Sequence, residues 1–162
     1  MNNHLVVKKT KNGFGLFTEV TIPANTPIYE FTGDIFNSEN FPSHQDENLF
    51  MQIGVDLFLG PSGGKDDHVN HSCDPNCYIS IVGNRAILYS KYLIAANCEL
   101  TFDYSLSSTE TREQWQFDCN CESINCRKII SGFQYLDKKK QDQYIKDGIV
   151  PLFISDQRFM RK

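Results

Sequence analysis

The sequence has no apolar run that approaches the roughly 20 residues that a membrane-spanning helix needs. Its opening stretch, MNNHLVVKKTKNG, lacks the apolar core of roughly 7–15 residues that marks a secretory signal peptide. These two absences predict a protein that does not enter a membrane. They also predict an intracellular protein in a reducing compartment, and they leave the cytoplasm, the nucleus and delivery into another cell open.

The sequence also lacks an excess of positive charge. Its 16 basic and 20 acidic residues give a formal net charge of −4 at pH 7. A protein that binds nucleic acid through backbone phosphates needs a surplus of basic side chains, so we expect no direct nucleic-acid binding. The acidic balance is compatible with a basic partner, such as a lysine-rich protein tail.

Patterns of other common folds are missing as well. The G-x-G-x-x-G fingerprint of dinucleotide-binding proteins would need a third glycine where Thr18 stands. The strand candidates do not alternate with regular helices, which argues against a doubly wound parallel sheet. With 162 residues, no internal repeat and no low-complexity linker, the chain is expected to build one sizeable core.

Short runs of β-branched and aromatic residues between turn signals predict a mainly β fold. The strand candidates are residues 5–9, 15–20, 27–33, 49–53, 55–59, 77–82, 85–90 and 98–104. Gly83 and Asn84 separate two of them as a two-residue hairpin turn would. Residues 61–67 have the composition of a loop, and helices are expected over 107–117, with a serine cap, and over 135–148, ended by Gly148.

Three of the six cysteines fall within eight residues, in FDCNCESINCRK. Cys119, Cys121 and Cys126 have a C-x-C-x4-C spacing, which lets three thiolates reach one ion. A structural zinc site needs four tetrahedral ligands, so the fourth must come from elsewhere. The candidate donors all lie in VNHSCDPNC (69–77): His71, Cys73 and Cys77. The alternative is that these cysteines are free or oxidised on a mobile tail.

Five stretches occur in the following order: NGFGLF (12–17), YEFTGDIF (29–36), NHSCDPN (70–76), ELTFDY (99–104) and CNCESINC (119–126). Together they resemble the SET-domain protein lysine methyltransferases that carry a cysteine-rich post-SET segment. The resemblance covers residues 5 to about 135. The combination is specific, although GFG by itself would be a weak signal. No cysteine array precedes residue 12, so the pattern is a minimal one without a pre-SET segment.

The resemblance implies a SET-domain fold of small twisted sheets with a pseudoknot, in which the NHSC segment threads beneath the loop formed by ELTFDY. It divides the chain into a SET domain (1–108), a post-SET zinc-binding segment (109–135) and a C-terminal helical and basic tail (136–162). It also implies S-adenosylmethionine and zinc as cofactors. The residues that it assigns to S-adenosylmethionine are Asn12, Gly13, Phe14, Asn70, His71, Phe117 and Asn120. The zinc ligands that it assigns are Cys73, Cys119, Cys121 and Cys126.

The implied activity is the transfer of methyl groups from S-adenosylmethionine to a lysine amine of a protein substrate, with a histone tail as one candidate. Tyr104 matches the catalytic tyrosine of the family, and its ordinary pKa near 10 favours an orienting and electrostatic role over that of a base. Phe31, Phe50 and Phe102 are expected to wall the lysine channel. Because Phe102 stands where the family carries Phe or Tyr, and no hydroxyl crowds the amine there, we expect that di- or trimethylation is possible.

The sequence departs from the family pattern at three places. Phe31 replaces a channel tyrosine in EFTG, and Asn48 replaces a cofactor-contacting tyrosine in NLF. In the lead-in DHVNHSC, Asp67 replaces a basic residue and His68 an aromatic one. These changes bear on cofactor affinity and channel geometry, and they leave Tyr104 in place.

Two other functions compete with the enzymatic one. The first is a zinc-stabilised protein-binding module of the SET type with weakened catalysis, which the substitutions at Phe31, Asn48 and Asp67 favour. The second is a cysteine hydrolase in which His71 activates Cys73, two residues away. No oxyanion-hole signature accompanies that pair, and zinc ligation would consume the thiol.

Overall fold

The computed structural model describes residues 4–42, 49–109 and 116–156. Within these residues the chain forms short strands: β1 (Leu5–Thr10), β2 (Gly13–Thr18), β3 (Pro27–Glu30), β4 (Ile35–Phe36), β5 (Met51–Gly54), β6 (Leu57–Leu59), β7 (Asn70–His71), β8 (Cys77–Val82), β9 (Arg85–Ser90), β10 (Thr101–Phe102), β11 (Phe117–Asp118) and β12 (Ile129–Ile130). The α-helices are α1 (Lys138–Lys146) and α2 (Leu152–Ser155). Neither helix has the length and apolarity to cross a membrane. The predicted mainly β fold with a helical C-terminal segment is confirmed.

The strands are distributed over small separate sheets. Strands β3, β9 and β8 form one antiparallel sheet in that order, and β4, β6 and β5 form another. The pairs β1–β2 and β11–β12 are antiparallel hairpins. The predicted turn between β8 and β9 is confirmed, because Val82 pairs with Arg85 and Gly83 adopts a φ of +59°.

Strands β7 and β10 form the only parallel pair among the described strands. Asn70 lies opposite Thr101 and His71 opposite Phe102, and the ladder continues with Ser72 N–H donating to the carbonyl of Phe102 at 3.1 Å. This contact joins the NHSC and ELTFDY segments side by side, as a pseudoknot requires. We call the paired segments β7 and β10 the knot. Residues that lie far apart in the sequence therefore meet at the centre of the molecule.

Two predicted strands are shorter than expected because of contacts with distant segments. The strand predicted over 27–33 ends at Glu30, and the chain then turns so tightly that a Cβ on Gly33 would lie 2.1 Å from the carbonyl oxygen of Gly60. The strand predicted over 98–104 pairs regularly only at Thr101 and Phe102. Residues 98–100 instead bond to β2, where the Thr18 N–H donates to the carbonyl of Cys98 at 3.1 Å and the Leu100 N–H to that of Leu16 at 2.7 Å. After Phe102 the chain enters a 3-10 turn at Tyr104–Ser107.

The helix predicted over 135–148 is confirmed as α1. Asp137 caps it by accepting a hydrogen bond from Lys140 N–H at 2.9 Å, and Gly148 follows it with a φ of +66°. The helix predicted over 107–117 lies mostly outside the described residues. The loop predicted over 61–67 is irregular until a 3-10 turn starts at Asp66.

The buried side chains form two main clusters. The larger one lies between the sheets and includes Leu16, Leu88 and Leu100, which have no exposed surface. The smaller one packs the C-terminal helices beneath the 3-10 turn that follows β10: Leu106, Phe133, Leu136, Tyr144, Ile149 and Ile154. The C-terminal segment is therefore packed against the knot.

We predict that Leu88→Ala lowers the free energy of unfolding by about 2–5 kcal/mol, because it leaves a cavity in the central strand β9. Leu93→Ala is the matched control, since Leu93 is 65% exposed whereas Leu88 is 0% exposed. Urea denaturation followed by circular dichroism measures both variants. Equal losses in the two variants would contradict the assignment of Leu88 to the core.

Candidate active site and metal centre

Four cysteine sulfurs converge behind the knot. Cys73 Sγ lies 3.6 Å from Cys119 Sγ, and the Cys73 N–H donates to Cys121 Sγ at 3.5 Å. Cys126 Sγ donates to the carbonyl of Cys119 at 3.5 Å and joins the same buried cluster. The donor atoms of His71, Cys73, Cys119 and Cys121 all lie within 4.8 Å of one another. The spacing seen in the sequence therefore does bring these thiols together.

The local backbone explains how the cysteines reach one point. Strands β11 and β12 form a hairpin that the Cys119 N–H closes by donating to the carbonyl of Lys128 at 2.8 Å. Glu122 and Lys128 adopt positive φ values of 57° and 66°, which turn the loop back on itself. Cys73 comes from the other side, directly after β7.

The thiols differ in their ionisation. Burial raises the pKa of Cys73 and of Cys119. Burial also opposes ionisation of Cys121, but backbone N–H donors from Cys73 and Ser123 outweigh it and lower that pKa to about 7. A thiolate that is already favoured among close thiols suits a divalent cation, which would draw protons from the others.

His71 is held as a neutral imidazole. Its Nδ1 accepts a hydrogen bond from the Tyr104 N–H at 3.1 Å, so Nε2 must carry the proton, and Nε2 lies 3.3 Å from Cys73 Sγ. Burial lowers the pKa of His71 to about 4, although the nearby Asp103 carboxylate acts in the opposite direction. With a proton on Nε2, His71 donates toward the sulfur and has no free lone pair there for a metal.

A cavity of about 260 Å³ lies between the knot and the cysteine loop. Four of the residues predicted to bind the cofactor line it: Asn12, Asn70, His71 and Asn120. The other three do not line it. Gly13, with a φ of +105°, and the exposed Phe14 begin the adjoining strand β2, while Phe117 packs beside the cysteines.

The walls of this cavity are tied together by side-chain amides. Asn70 Nδ2 donates to the carbonyl of Phe14 at 2.9 Å and to Glu99 Oε1 at 2.7 Å. A Cβ on Gly15 would lie 2.2 Å from the same Glu99 oxygen, so a larger residue there would displace the carboxylate that Asn70 contacts. Asn12 Nδ2 donates to the carbonyl of Asn120 at 3.3 Å and joins the N-terminal turn to the cysteine loop.

A second cavity, of about 140 Å³, has an aromatic wall. All three predicted channel residues line it: Phe31, Phe50 and Phe102. The ring centroids of Phe31 and Phe102 are 6.1 Å apart, and those of Phe102 and Tyr104 are 4.8 Å apart. The buried Asp66 and the exposed Asp67 also line this cavity.

Tyr104 lines both cavities. Its hydroxyl donates to the carbonyl of Val69 at 2.9 Å, and its ring contacts His71 at a centroid distance of 5.4 Å. Burial, with a smaller contribution from Glu99, raises the pKa of Tyr104 to about 12. The phenol is therefore protonated at neutral pH and acts as a hydrogen-bond donor.

Sequence reasoning missed the residue beneath this site, Asp103. Its carboxylate is fully buried and accepts two hydrogen bonds from the Arg127 guanidinium, at 2.7 and 2.8 Å, and one from the Tyr144 hydroxyl at 2.8 Å. Burial would raise the pKa of Asp103, but these donors and the charge of Arg127 lower it. The signal for Asp103 in the sequence was the presence of a charged residue between Phe102 and Tyr104.

The departures from the family pattern have local structural consequences. Asp67 accepts hydrogen bonds from Gly63 N–H at 2.7 Å and Ser62 N–H at 3.0 Å, so it shapes the loop beside the aromatic cavity. His68 packs edge-on against Phe14 at a centroid distance of 5.9 Å. Asn48 lies outside the described residues.

The knot, the two cavities and the cysteine cluster agree with a match of residues 13–105 to the sequence profile of the SET domain. The chain belongs to the SET domain family. It is 31% identical over 158 residues to a histone-lysine N-methyltransferase, H3 lysine-36 specific, from Mycosarcoma maydis, covering 89% of this chain and 16% of that protein. A protein of the same description from Cryptococcus neoformans is 32% identical over 158 residues, with 89% and 19% covered. The chain thus spans less than a fifth of these relatives.

The fold is also that of a solved structure. The crystal structure of KRYPTONITE in complex with mCHG DNA and SAH superposes with a TM-score of 0.63 at 24% sequence identity, over 78% of this chain and 29% of that chain. This likeness confirms the predicted SET-type architecture.

We predict that Cys126→Ser, which would remove one of the four expected thiolate ligands, releases zinc at least about tenfold faster than the unmodified protein. His71→Gln should retain zinc, since Nε2 of His71 carries a proton. Cys98→Ser, outside the cluster, is the control. Zinc content and its transfer to a chromogenic chelator measure the effect. Retention in Cys126→Ser together with loss in His71→Gln would instead make the histidine the fourth ligand.

Proposed function

We propose that this chain is an S-adenosylmethionine-dependent protein-lysine N-methyltransferase. The position of Tyr104, shared by a polar cavity and an aromatic cavity, is the observation that carries the proposal. Methyl transfer to an amine is an in-line displacement, so donor and acceptor must approach the reacting centre from opposite sides. Two cavities that meet at one side chain have the layout that this reaction needs.

In this proposal the polar cavity holds S-adenosylmethionine, which supplies a methyl group on a sulfonium. Asn12, Asn70, His71 and Asn120 face the bound molecule, and Gly13, Phe14 and Phe117 lie at its margins. The fixed amide of Asn70 and the neutral ring of His71 offer polar contacts without adding positive charge near the sulfonium.

The aromatic cavity would receive the substrate lysine. A lysine with a pKa near 10.4 must lose its proton before it can attack, which costs roughly 4–5 kcal/mol at pH 7. Phe31 and Phe102, both buried, remove water from the amine and so favour its neutral form. Tyr104 is a poor base because its pKa is about 12, so its hydroxyl orients the reacting groups.

We propose that Cys73, Cys119, Cys121 and Cys126 bind one zinc ion. The protonated Nε2 of His71 supports Cys126 as the fourth ligand. The ion would hold the loop that carries Asn120 over the polar cavity. In the same way we keep the division into a SET domain (1–108), a post-SET segment (109–135) and a C-terminal tail (136–162) as a proposal.

We propose a histone H3 tail as the substrate and chromatin in the nucleus as the site of action. The H3 lysine-36 specificity in the descriptions of the two relatives supports this choice. Asp66 and Asp67 beside the aromatic cavity, and a net charge of −4, suit a lysine-rich peptide. Lysine 36 is the first position to examine.

The cysteine hydrolase reading loses support from the geometry. The distance between His71 Nε2 and Cys73 Sγ, 3.3 Å, is that of a nucleophile and its base. The Nε2 atom already carries a proton, however, and Cys73 is only 1% exposed. The weakened binding module remains the alternative, and the following experiment separates it from the enzyme.

We expect the zinc-loaded protein to bind S-adenosylmethionine in isothermal titration and to methylate H3 peptides in a mass-spectrometric assay. Tyr104→Phe should bind it with similar affinity but lower kcat about 100-fold, because a positioned donor is lost at the reacting centre. Tyr89→Phe, in β9 and outside both cavities, is the control. If the folded protein binds H3 peptide without methylating it, the binding module is correct. If it does not bind S-adenosylmethionine, the enzyme proposal fails.

We further predict that Phe102→Tyr changes the product of the reaction from di- and trimethyl-lysine towards monomethyl-lysine. The new hydroxyl would hold a water beside the amine and leave less room for a methylated one. Mass spectrometry of the peptide at long reaction times reads the product distribution. An unchanged distribution would contradict the proposed role of Phe102.

A further inference from the structure

The Asp103 carboxylate receives donors from three separate parts of the chain. The Ser105 N–H, in the adjoining 3-10 turn, donates to Oδ1 at 3.1 Å. The guanidinium of Arg127, in the post-SET segment, donates to both carboxylate oxygens of Asp103. The third donor is the Tyr144 hydroxyl of α1, at 2.8 Å from Oδ2. The family motifs end before this helix.

Tyr144 is held rigidly. The side chain is 0% exposed and packs in the cluster formed with Leu106 and Phe133. The Gln141 amide donates to the carbonyl of Leu136 at 2.9 Å, and Asp137 caps the helix, so α1 cannot rotate freely. The phenol therefore presents its hydroxyl at a fixed point beneath the knot.

Arg127 transmits the orientation of Asp103 to the cysteine loop. It directly follows Cys126, and its backbone N–H donates to Cys73 Sγ at 3.4 Å. Because the planar guanidinium binds the carboxylate through two parallel hydrogen bonds, a rotation of the Asp103 carboxylate would move Arg127 with it. On its other side, Asp103 Oδ1 lies 3.6 Å from His71 Nδ1.

We propose that Tyr144 is a positioning residue for cofactor binding. Its hydroxyl fixes the rotation of the Asp103 carboxylate, and through Arg127 it sets the position of the cysteine loop against the polar cavity. This inference rests on the proposed function of that cavity. It assigns the C-terminal helix a role in the site, although no residue of the helix lines either cavity.

The substitution Tyr144→Phe removes only the hydroxyl that donates to Asp103, so it tests the role of that hydrogen bond. The ring stays in its apolar cluster, and Asp103 keeps Arg127 and the Ser105 N–H, so the fold is retained. A purely structural role predicts a lower melting temperature with unchanged binding. A positioning role predicts weaker binding of S-adenosylmethionine with kcat at saturation preserved.

The experiment compares the zinc-loaded full chain with its Tyr144→Phe and Tyr89→Phe variants by isothermal titration with S-adenosylmethionine and by zinc release to a chelator. We expect Tyr144→Phe to raise the Kd about three- to tenfold and to release zinc faster by a similar factor. Tyr89→Phe should match the unmodified protein. A Kd and a zinc-release rate that both stay within about twofold of the unmodified protein would overturn the inference.

The two proposals fail in different ways. Absence of S-adenosylmethionine binding by the unmodified protein would defeat the proposed function, and the zinc-release comparison would then decide the role of Tyr144. A second test combines Tyr144→Phe with Arg127→Lys, since both residues act through Asp103. Their effects on zinc release should be non-additive, and additive effects would contradict a shared path.

Discussion

The buried ion pair between Asp103 and Arg127 is the interaction on which the arrangement of the site depends. Asp103 lies between Phe102 of the aromatic cavity and Tyr104, while Arg127 belongs to the loop that carries the cysteines. Removing Arg127 would leave the fully buried Asp103 carboxylate without its counter-ion and would cost about 3–5 kcal/mol. The pair therefore connects the knot to the cysteine loop, and Tyr144 connects both to the C-terminal helix.

Around this pair, the two-residue parallel contact of β7 with β10 places the polar cavity and the aromatic cavity next to each other. One side offers amides, an imidazole and the cysteine loop, and the other offers phenylalanine rings and two carboxylates. Tyr104 separates them. Val69, directly before β7, and Phe102 of β10 line the aromatic cavity, and Asn70 and His71 of β7 line the polar one, so the knot supplies walls to both.

Much of the fold could be predicted from local patterns. Two runs of β-branched and aromatic residues around the Gly83-Asn84 turn predicted the β8–β9 hairpin, and Gly148 predicted the end of α1, because turns and caps depend on neighbouring residues. The lengths of the strands after Glu30 and before Tyr104 could not be predicted. They are set by the close approach of Gly33 to Gly60 and by the change of pairing partner from β2 to β7 along residues 98–102, which are contacts between distant segments.

The sequence by itself determined the family and the candidate residues, since the spacing of motifs such as NHSC, TFDY and C-x-C-x4-C is a property of the chain. Only the tertiary structure decided which of those residues share a cavity and which of their atoms are already hydrogen-bonded. The Nδ1 atom of His71 is occupied by the Tyr104 N–H, and Tyr144 reaches Asp103 from 41 residues away. Both facts depend on where the folded chain brings a hydrogen-bond donor to a buried acceptor, and no local pattern in the sequence contains that information.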